Sequence, residues 1–249
     1  PEFEILRQRL KMAAIALDLG RQRAVEAERL RAFRESARQV AHELKNPLTP
    51  IRFAIDRLRR GAPPELAETV EVLAIETERL ERTARSFAQF GRLPEGPPSQ
   101  IDIGELVRYA ATTTVPPTMT LDLTVAEGLP MILGYHDALA GAVSNVLLNA
   151  VDACEGKGKL TVRVSESSLQ GKRAVNIQIE DNGPGIGAQQ LKRIWEPYVT
   201  NKAGGTGLGL AIARQAVWAH DGSVSAHSDV GTGTRIEFTL PIDALMTET

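Results

Sequence analysis

Between Leu30 and Pro47 the apolar positions recur at spacings of three and four: Leu30, Phe33, Ala37, Val40, Leu44 and Pro47. That spacing places them on one side of a helix and predicts a seam for packing helix on helix. Further upstream Ile5, Met12 and Leu19 stand seven apart, until the charge-rich run Gly20 to Arg29 interrupts the pattern. Residues 1–29 are therefore expected as a separate upstream helix or coiled coil. The next helix is expected to end near Arg60, because Gly61-Ala62-Pro63-Pro64 is a stop and a turn. A second helix follows from about Glu65 to about Phe90, with Val72, Ile75, Arg79, Leu80, Thr83 and Phe87 along it. Two long helices joined by a short turn make an antiparallel hairpin over 30–92. A hairpin alone buries little apolar surface, whereas two from two chains make a four-helix bundle, so a homodimer is expected.

At Gly91-Arg92-Leu93-Pro94-Glu95-Gly96-Pro97-Pro98 the character changes, and 93–100 reads as a linker. Beyond it the period shortens to two. Met119, Leu121, Leu123 and Val125 alternate with polar residues, as do Leu160, Val162 and Val164, then Val175, Ile177 and Ile179, and Ile236, Phe238 and Leu240. Each reads as a half-buried strand, and Ser223 to Ala226 is a weaker fifth. Helical stretches Ile103–Ala111, Tyr135–Ala153 and Gly207–Ala219 lie between them. The prediction is an α+β chain: a helical hairpin, then a two-layer α/β sandwich with a largely antiparallel sheet over 101–243.

Composition narrows the function. With 43% apolar and 24% charged residues, the 249-residue chain has the balance of a water-soluble globular protein. Fourteen Lys/Arg against eight Asp/Glu lie in 1–60, and eleven against seventeen from Leu93 onward. The net charge of -2 argues against a general nucleic-acid binder. A single cysteine, Cys154, excludes an internal disulfide framework and a multi-cysteine metal site. No apolar run approaches the ~20 residues of a membrane helix, and none reads as a signal peptide. The expected location is the cytoplasm, with membrane attachment only through a segment upstream of Pro1.

The first candidate site is His42 in Ala41-His42-Glu43-Leu44-Lys45-Asn46-Pro47-Leu48-Thr49-Pro50. Two residues from Val40 and two from Leu44, it is turned about 200° from each and points away from the seam. Its neutral nitrogen is a nucleophile at physiological pH. Glu43 can hold or accept the ring proton. Asn46, four residues on, shares the histidine's face and can orient a water there. Pro47 and Pro50 remove two backbone donors, so a bend is expected just after the histidine. Taken alone, an exposed helical histidine is more often merely solvated.

Four further segments look like parts of a nucleotide cradle. Asn145, Asn149 and Asp152 fall at i, i+4 and i+7 on one helix face, a polar stripe suited to a Mg²⁺ that keeps waters and bridges phosphates. Asp181-Asn182-Gly183-Pro184-Gly185 follows a strand, and a carboxylate there can accept from an exocyclic amine such as that of adenine. Gly204-Gly205-Thr206-Gly207-Leu208-Gly209 runs into a helix start, where free N–H groups bind phosphate. Between these lies Trp195 to Lys202, which reads as a lid: Lys202 can reach a terminal phosphate, and Trp195 packs the lid against the body. Each piece alone has a plainer reading, as a solvated stripe, a turn or a hinge.

In this order and spacing the chain resembles the sensor histidine kinases of two-component systems, from about Arg34 to Leu240. The resemblance implies a dimerisation and histidine-phosphotransfer hairpin, preceded by a signalling helix, and a catalytic ATP-binding domain similar in fold to the ATPase domains of gyrase and mismatch-repair proteins. His42 matches the phosphoacceptor, Glu43 the adjacent acid and Asn46 the position that supports phosphatase activity. Asn145 and Asn149 match the asparagine motif, with Asn149 the Mg²⁺ ligand. Asp181, Gly183 and Gly185 match the adenine-reading motif, Lys202 the lid lysine, and Gly205, Gly207 and Gly209, with Thr206 and Leu208 between them, the second glycine motif. Gly231-Thr232-Gly233-Thr234 resembles the last glycine-threonine motif, with Thr234 near the base. The run His42 to Ile51 with its two prolines resembles the nitrogen-regulation subgroup. There are departures: Asp152 stands near a position often basic in relatives, Trp195 replaces a common phenylalanine, and Asn201 a frequent threonine.

The resemblance implies ATP and Mg²⁺ as ligands, autophosphorylation of His42, and transfer to an aspartate on a separate response-regulator receiver domain. It also implies a cytoplasmic location, alone or as the cytoplasmic part of a membrane-anchored sensor. Two other readings remain: a non-catalytic, nucleotide-gated signalling scaffold, and an ATPase clamp without histidine chemistry. Against the clamp, Asn145 stands where an acid would activate water, and an amide is a poor base.

Overall fold

The computed structural model describes residues 35–61, 63–91, 97–200, 202 and 205–242. The expected helix over 1–29 and residues 93–96 of the expected linker lie outside them. The chain divides into two compact units at Arg92.

In the first unit a helix over 35–61 (α1) is followed by one turn of 3-10 helix at Pro64–Leu66 and by α2, Ala67–Gly91. Pro63 and Pro64 lack the N–H groups that would continue α1, and Pro64 sits where a helix start tolerates it. Helix α1 runs on through Pro47 and Pro50 to residue 61. The Thr49 hydroxyl donates to the Lys45 carbonyl at 3.1 Å in this stretch. The buried positions of the pair are Ala37, Ala41, Leu48 and Ile55 on α1, at spacings of four and seven, with Val70, Thr77 and Ala84 on α2, seven apart. The expected seam is thereby shifted: Val40 is 37% exposed and Pro47 is exposed, while Ala41 and Leu48 face inward. Helices pack most closely where side chains are small, so alanines take the contact. Outside it Val40, Ile51 and Leu58 form an exposed apolar stripe on α1, and Leu66, Leu73 and Leu80 another on the 3-10 turn and α2. The Arg59 guanidinium grips the Glu71 carboxylate through Nε and Nη2 at 2.6 to 3.2 Å and closes the turn end.

In the second unit a five-stranded sheet has the order β2 (Met119–Val125), β4 (Gly158–Leu169), β5 (Lys172–Asp181), β7 (Gly233–Pro241), β6 (Ser223–Asp229). Only the β2–β4 pair is parallel. Helices α3 (Ile103–Thr114), α4 (His136–Ala153) and α6 (Gly209–Trp218) pack their apolar faces on the sheet. Leu106, Val143, Leu147 and Val217 meet Leu160, Val162, Ile177, Ile179 and Phe238 in one core. A short helix α5, Ala188–Leu191, follows β5. All five expected strands and all three expected helices are present. Not expected was a two-stranded antiparallel sheet of β1 (Ser99–Ile101) with β3 (Ile132–Gly134), whose first strand begins inside the stretch read as linker. The α+β architecture, a hairpin followed by a two-layer sandwich, is as expected. Among the described residues no helix is long and apolar enough to cross a membrane.

A fully buried His220 ties α6 to β3. Its Nδ1 lies 2.6 Å from the Ala216 carbonyl and its Nε2 2.8 Å from the Tyr135 amide. A carbonyl only accepts and an amide only donates, so the ring is neutral with its proton on Nδ1. Gly134 makes room, since a Cβ there would stand 2.6 Å from the ring. Burial, the largest influence, lowers the His220 pKa below its ordinary 6.5. Between the two values the unfolded chain holds a proton that the folded chain lacks, so stability is complete above pH 6.5 and falls as pH drops. Replacing His220→Ala leaves a cavity and an unpaired Tyr135 amide, with an expected cost of about 3 kcal/mol. In denaturant melts at pH 7.5 and 5.5, the wild type is expected to lose stability on acidification and the variant to lack this component.

Candidate functional site

Strand β5 ends on Asp181, and the chain turns at once through Asn182-Gly183-Pro184-Gly185. The side chain is only 7% exposed. The Gly183 amide donates to Oδ1 at 2.9 Å and the Thr234 amide donates to the same oxygen at 3.3 Å. Among the described residues no donor is bonded to Oδ2. Burial is the largest influence on this carboxyl and raises its pKa, while the two amides and the charge of Lys202 pull it back. The result is a desolvated acceptor with one oxygen held and one open. Gly185 has φ +71°, and a Cβ there would run into the Asp229 carbonyl. At Gly233, φ +105°, a Cβ would strike the Asp181 carbonyl. Only glycine lets the two turns close on Asp181.

Asn145 and Asn149 lie on one face of α4 against the start of α6. A Cβ built at Gly209 would be 3.7 Å from Asn145 Cγ and 3.7 Å from Asn149 Nδ2. Helix α6 starts at Gly209 with no side-chain cap on its N-terminal amides, so the positive end of its dipole opens beside the two carboxamides. Asn145 Nδ2 is buried with no hydrogen-bond partner among the described residues. An orphaned amide donor here suits a phosphate oxygen, and the amide oxygens suit a hard cation that keeps waters. The residues present therefore fit a Mg²⁺–phosphate group. Among the described residues no cluster of three His, Cys, Asp or Glu offers an all-protein metal cage.

The lid segment brings Lys202 to the far end of α4. Its Nζ lies 3.0 Å from Asp152 Oδ2 and 3.4 Å from the Asn149 carbonyl. Asp152 is thus the partner of the lid lysine. In the glycine segment the Thr206 hydroxyl accepts from the Leu208 amide at 3.4 Å, and the Leu208 side chain is fully buried, so only its main chain faces the loop. Gly207, φ +63°, crosses the Tyr198 backbone, whose amide donates to its carbonyl at 3.0 Å. Gly205 is exposed, and a Cβ on it would press 2.8 Å from Thr200 Oγ1. Trp195 packs half-buried against the core, as expected.

On the first unit His42, Glu43 and Asn46 are all exposed on α1. Helical geometry puts His42 about 180° from Ile51 and so on the opposite side from the exposed apolar stripe. Glu43 Oε1 accepts from Gln39 Nε2 at 2.9 Å.

One residue of the Asp181 site gave no signal in the sequence. Ser228 lies opposite Thr234 across β6–β7, and Thr234 lies opposite Asp181 across β7–β5. The three form one rung over three strands. Their sequence separations hide this, and strand register alone reveals it.

The parts define a class: a phosphoacceptor-type helical hairpin joined to an ATP-binding sandwich. Comparison with known proteins agrees. Residues 34–96 match the His Kinase A (phospho-acceptor) domain, and 134–244 the histidine kinase-, DNA gyrase B- and HSP90-like ATPase. The sensory histidine kinase/phosphatase NtrB of Rhodobacter capsulatus is 32% identical over 240 residues, covering 92% of this chain and 67% of its own. The sensor histidine kinase ZraS of Escherichia coli is 32% identical over 222 residues, 87% of this chain and 47% of its own. The chain belongs to the sensor histidine kinases of two-component systems, with nitrogen-regulation proteins among its relatives. It spans about half the length of several relatives it matches. A crystal structure of full-length ShkA in complex with AMPPNP shares the fold, with a TM-score of 0.68 at 24% identity over 83% of this chain and 45% of that one. The mycobacterial sensor histidine kinase MprB gives 0.51 at 27% identity, over 58% of this chain and 97% of its own.

Proposed function

We propose that the chain is an ATP-dependent histidine autokinase. A nitrogen of the His42 imidazole attacks the γ-phosphorus of ATP held by the second unit. The N–P bond forms, the bond to the bridging oxygen breaks, and ADP leaves with the electron pair. Glu43 takes up the ring proton. The phosphoryl group then passes to an aspartate of a response-regulator receiver domain. The observation that carries this reading is an exposed imidazole on the hairpin of a chain whose second unit holds an uncapped helix start against two asparagines.

Each site residue has a physical task in this reading. Asp181 accepts from the adenine amine through Oδ2, with Gly183, Gly185 and Thr234 lining the base. The α6 amides from Gly209 onward, with Gly205, Thr206, Gly207 and the Leu208 main chain, hold the phosphates. Asn145 and Asn149 hold Mg²⁺, Asn149 as its direct ligand. That ion supplies charge neutralisation on the transferring phosphates. Lys202 and Asp152 are 41% and 59% exposed at their side chains, so their ion pair is worth about 0–1 kcal/mol. Such a pair yields readily to a triphosphate, and Lys202 is then free to neutralise it. Asn46 orients water for a phosphatase activity, in keeping with the Rhodobacter relative, which is named a kinase/phosphatase.

The exposed stripes Val40–Ile51–Leu58 and Leu66–Leu73–Leu80 fit a second copy, completing a four-helix bundle that leaves His42 outward. In this reading the protein works in the cytoplasm, as the cytoplasmic part of a longer sensor.

Three outcomes are expected. Wild type incubated with γ-labelled ATP takes up acid-labile label and His42→Ala takes up none; equal labelling ends the autokinase reading. Asp181→Asn turns a donor toward the adenine amine and weakens ATP binding by calorimetry about tenfold to a hundredfold. Ile51→Glu combined with Leu73→Glu yields a monomer by light scattering where the wild type is a dimer.

A further inference from the structure

The Ser228 hydroxyl is fully committed. It donates to the Gly233 carbonyl at 2.7 Å and accepts from the Ile186 amide at 2.8 Å. The Thr234 hydroxyl lies 3.0 Å away. A hydroxyl has one proton to give, and Ser228 gives it to Gly233, so Thr234 is the donor in that third contact. One serine thus uses its single donor and both lone pairs.

Its partners are the two walls of the Asp181 site. The Gly233 carbonyl and the Thr234 amide belong to one planar peptide unit, pointing to opposite sides. Ser228 grips the carbonyl side, and the amide side donates to Asp181 Oδ1 at 3.3 Å. The Ile186 amide is the end of the turn that starts at Asp181, so the same hydroxyl also anchors the loop carrying Gly183 and Gly185. A second strap runs beside it, from the Gly231 amide to the Pro184 carbonyl at 2.7 Å. The serine itself stands on β6, the edge strand, two strands from Asp181.

We propose that Ser228 is a positioning residue for base recognition: its hydroxyl fixes the Gly233–Thr234 peptide and the Asp181–Ile186 turn so that Asp181 and Thr234 face the purine. This rests on the assignment of Asp181 as the base-reading acceptor. Removing the hydroxyl frees the peptide to rotate and lets the Thr234 hydroxyl turn. The carboxylate then loses the orientation that an exocyclic amine requires, while the phosphate-binding residues on α4 and α6 are untouched.

The test compares ATP with purine riboside triphosphate, which lacks the 6-amino group, by calorimetry on the full chain. Ser228→Val and Ser228→Thr have nearly the same shape and both suit a strand, but only threonine keeps the hydroxyl. Expected is a wild-type preference for ATP, reduced about fivefold to tenfold in Ser228→Val and retained in Ser228→Thr. Affinity for purine riboside triphosphate should change less than about twofold in either variant. Equal loss for both nucleotides means the serine acts through general stability and overturns the proposal. So does an unchanged preference in Ser228→Val. A wild type that binds both nucleotides equally removes the base-reading role of Asp181 and this proposal with it. A wild-type preference that survives Ser228→Val removes the proposal alone.

Discussion

A carboxylate at the end of a buried strand is the constraint around which the second unit is organised. Asp181 is nearly out of water, and an unpaired charge there would be costly. Its held oxygen takes amides from two directions, one from the turn that follows it and one from β7, 53 residues later. Those amides arrive only because Gly185 and Gly233 carry no side chain where backbone crosses backbone. The register of β5, β7 and β6 then puts Thr234 and Ser228 in line with the acid. The glycine motif after β5 and the glycine-threonine motif that opens β7 are thus two halves of one solution to desolvating a charge. In the proposed reading the open oxygen is left as the recognition element.

The end of the site proposed to hold phosphate is built on a different principle. There the attraction comes from unsatisfied main-chain donors at the start of α6, set beside carboxamides on α4. Small residues such as Ala142, Ala150, Ala213 and Ala216 in the same core allow helices to approach closely. Core packing therefore sets the distance between asparagines and helix start, whereas Lys202 at the far end of the Trp195–Lys202 segment is held to Asp152 by a weak surface ion pair. In the proposed reading, a rigid floor and a weakly held Lys202 are what a site that admits and releases a nucleotide requires.

Features carried by one element were legible in the sequence, and those that depend on register were not. Asn145 and Asn149 share a face because both ride on α4, so their spacing of four sufficed. The strands showed through their period of two. Asp152 and Lys202 are 50 residues apart, and only the fold reveals that they pair. Ser228 was invisible for the same reason. The β1–β3 sheet escaped because three residues such as Ser99-Gln100-Ile101 carry no alternation and sit beside prolines. In the hairpin, apolar spacing identified a seam but put Val40 and Pro47 in it, since weakly apolar Ala41 was passed over for larger neighbours. Two adjacent stripes exist on α1, and spacing alone cannot say which one meets its own chain.

That doubling of stripes has an energetic consequence. The contact between α1 and α2 rests on three alanines, a threonine, a valine, a leucine and an isoleucine. Alanine contributes little apolar area, so this contact alone yields far less than a core of larger side chains. The larger residues Ile51, Leu58, Leu66, Leu73 and Leu80 sit on the adjacent stripes and contribute only when a second hairpin covers them. In the dimeric reading most of the bundle's stability then lies between chains, and rotating one pair against the other redistributes it without unfolding either helix. His42 rides on the opposite side of α1, so such a rotation moves the imidazole while leaving it in solvent. A phosphoacceptor placed there can be presented or withdrawn by the same motion that repacks the bundle.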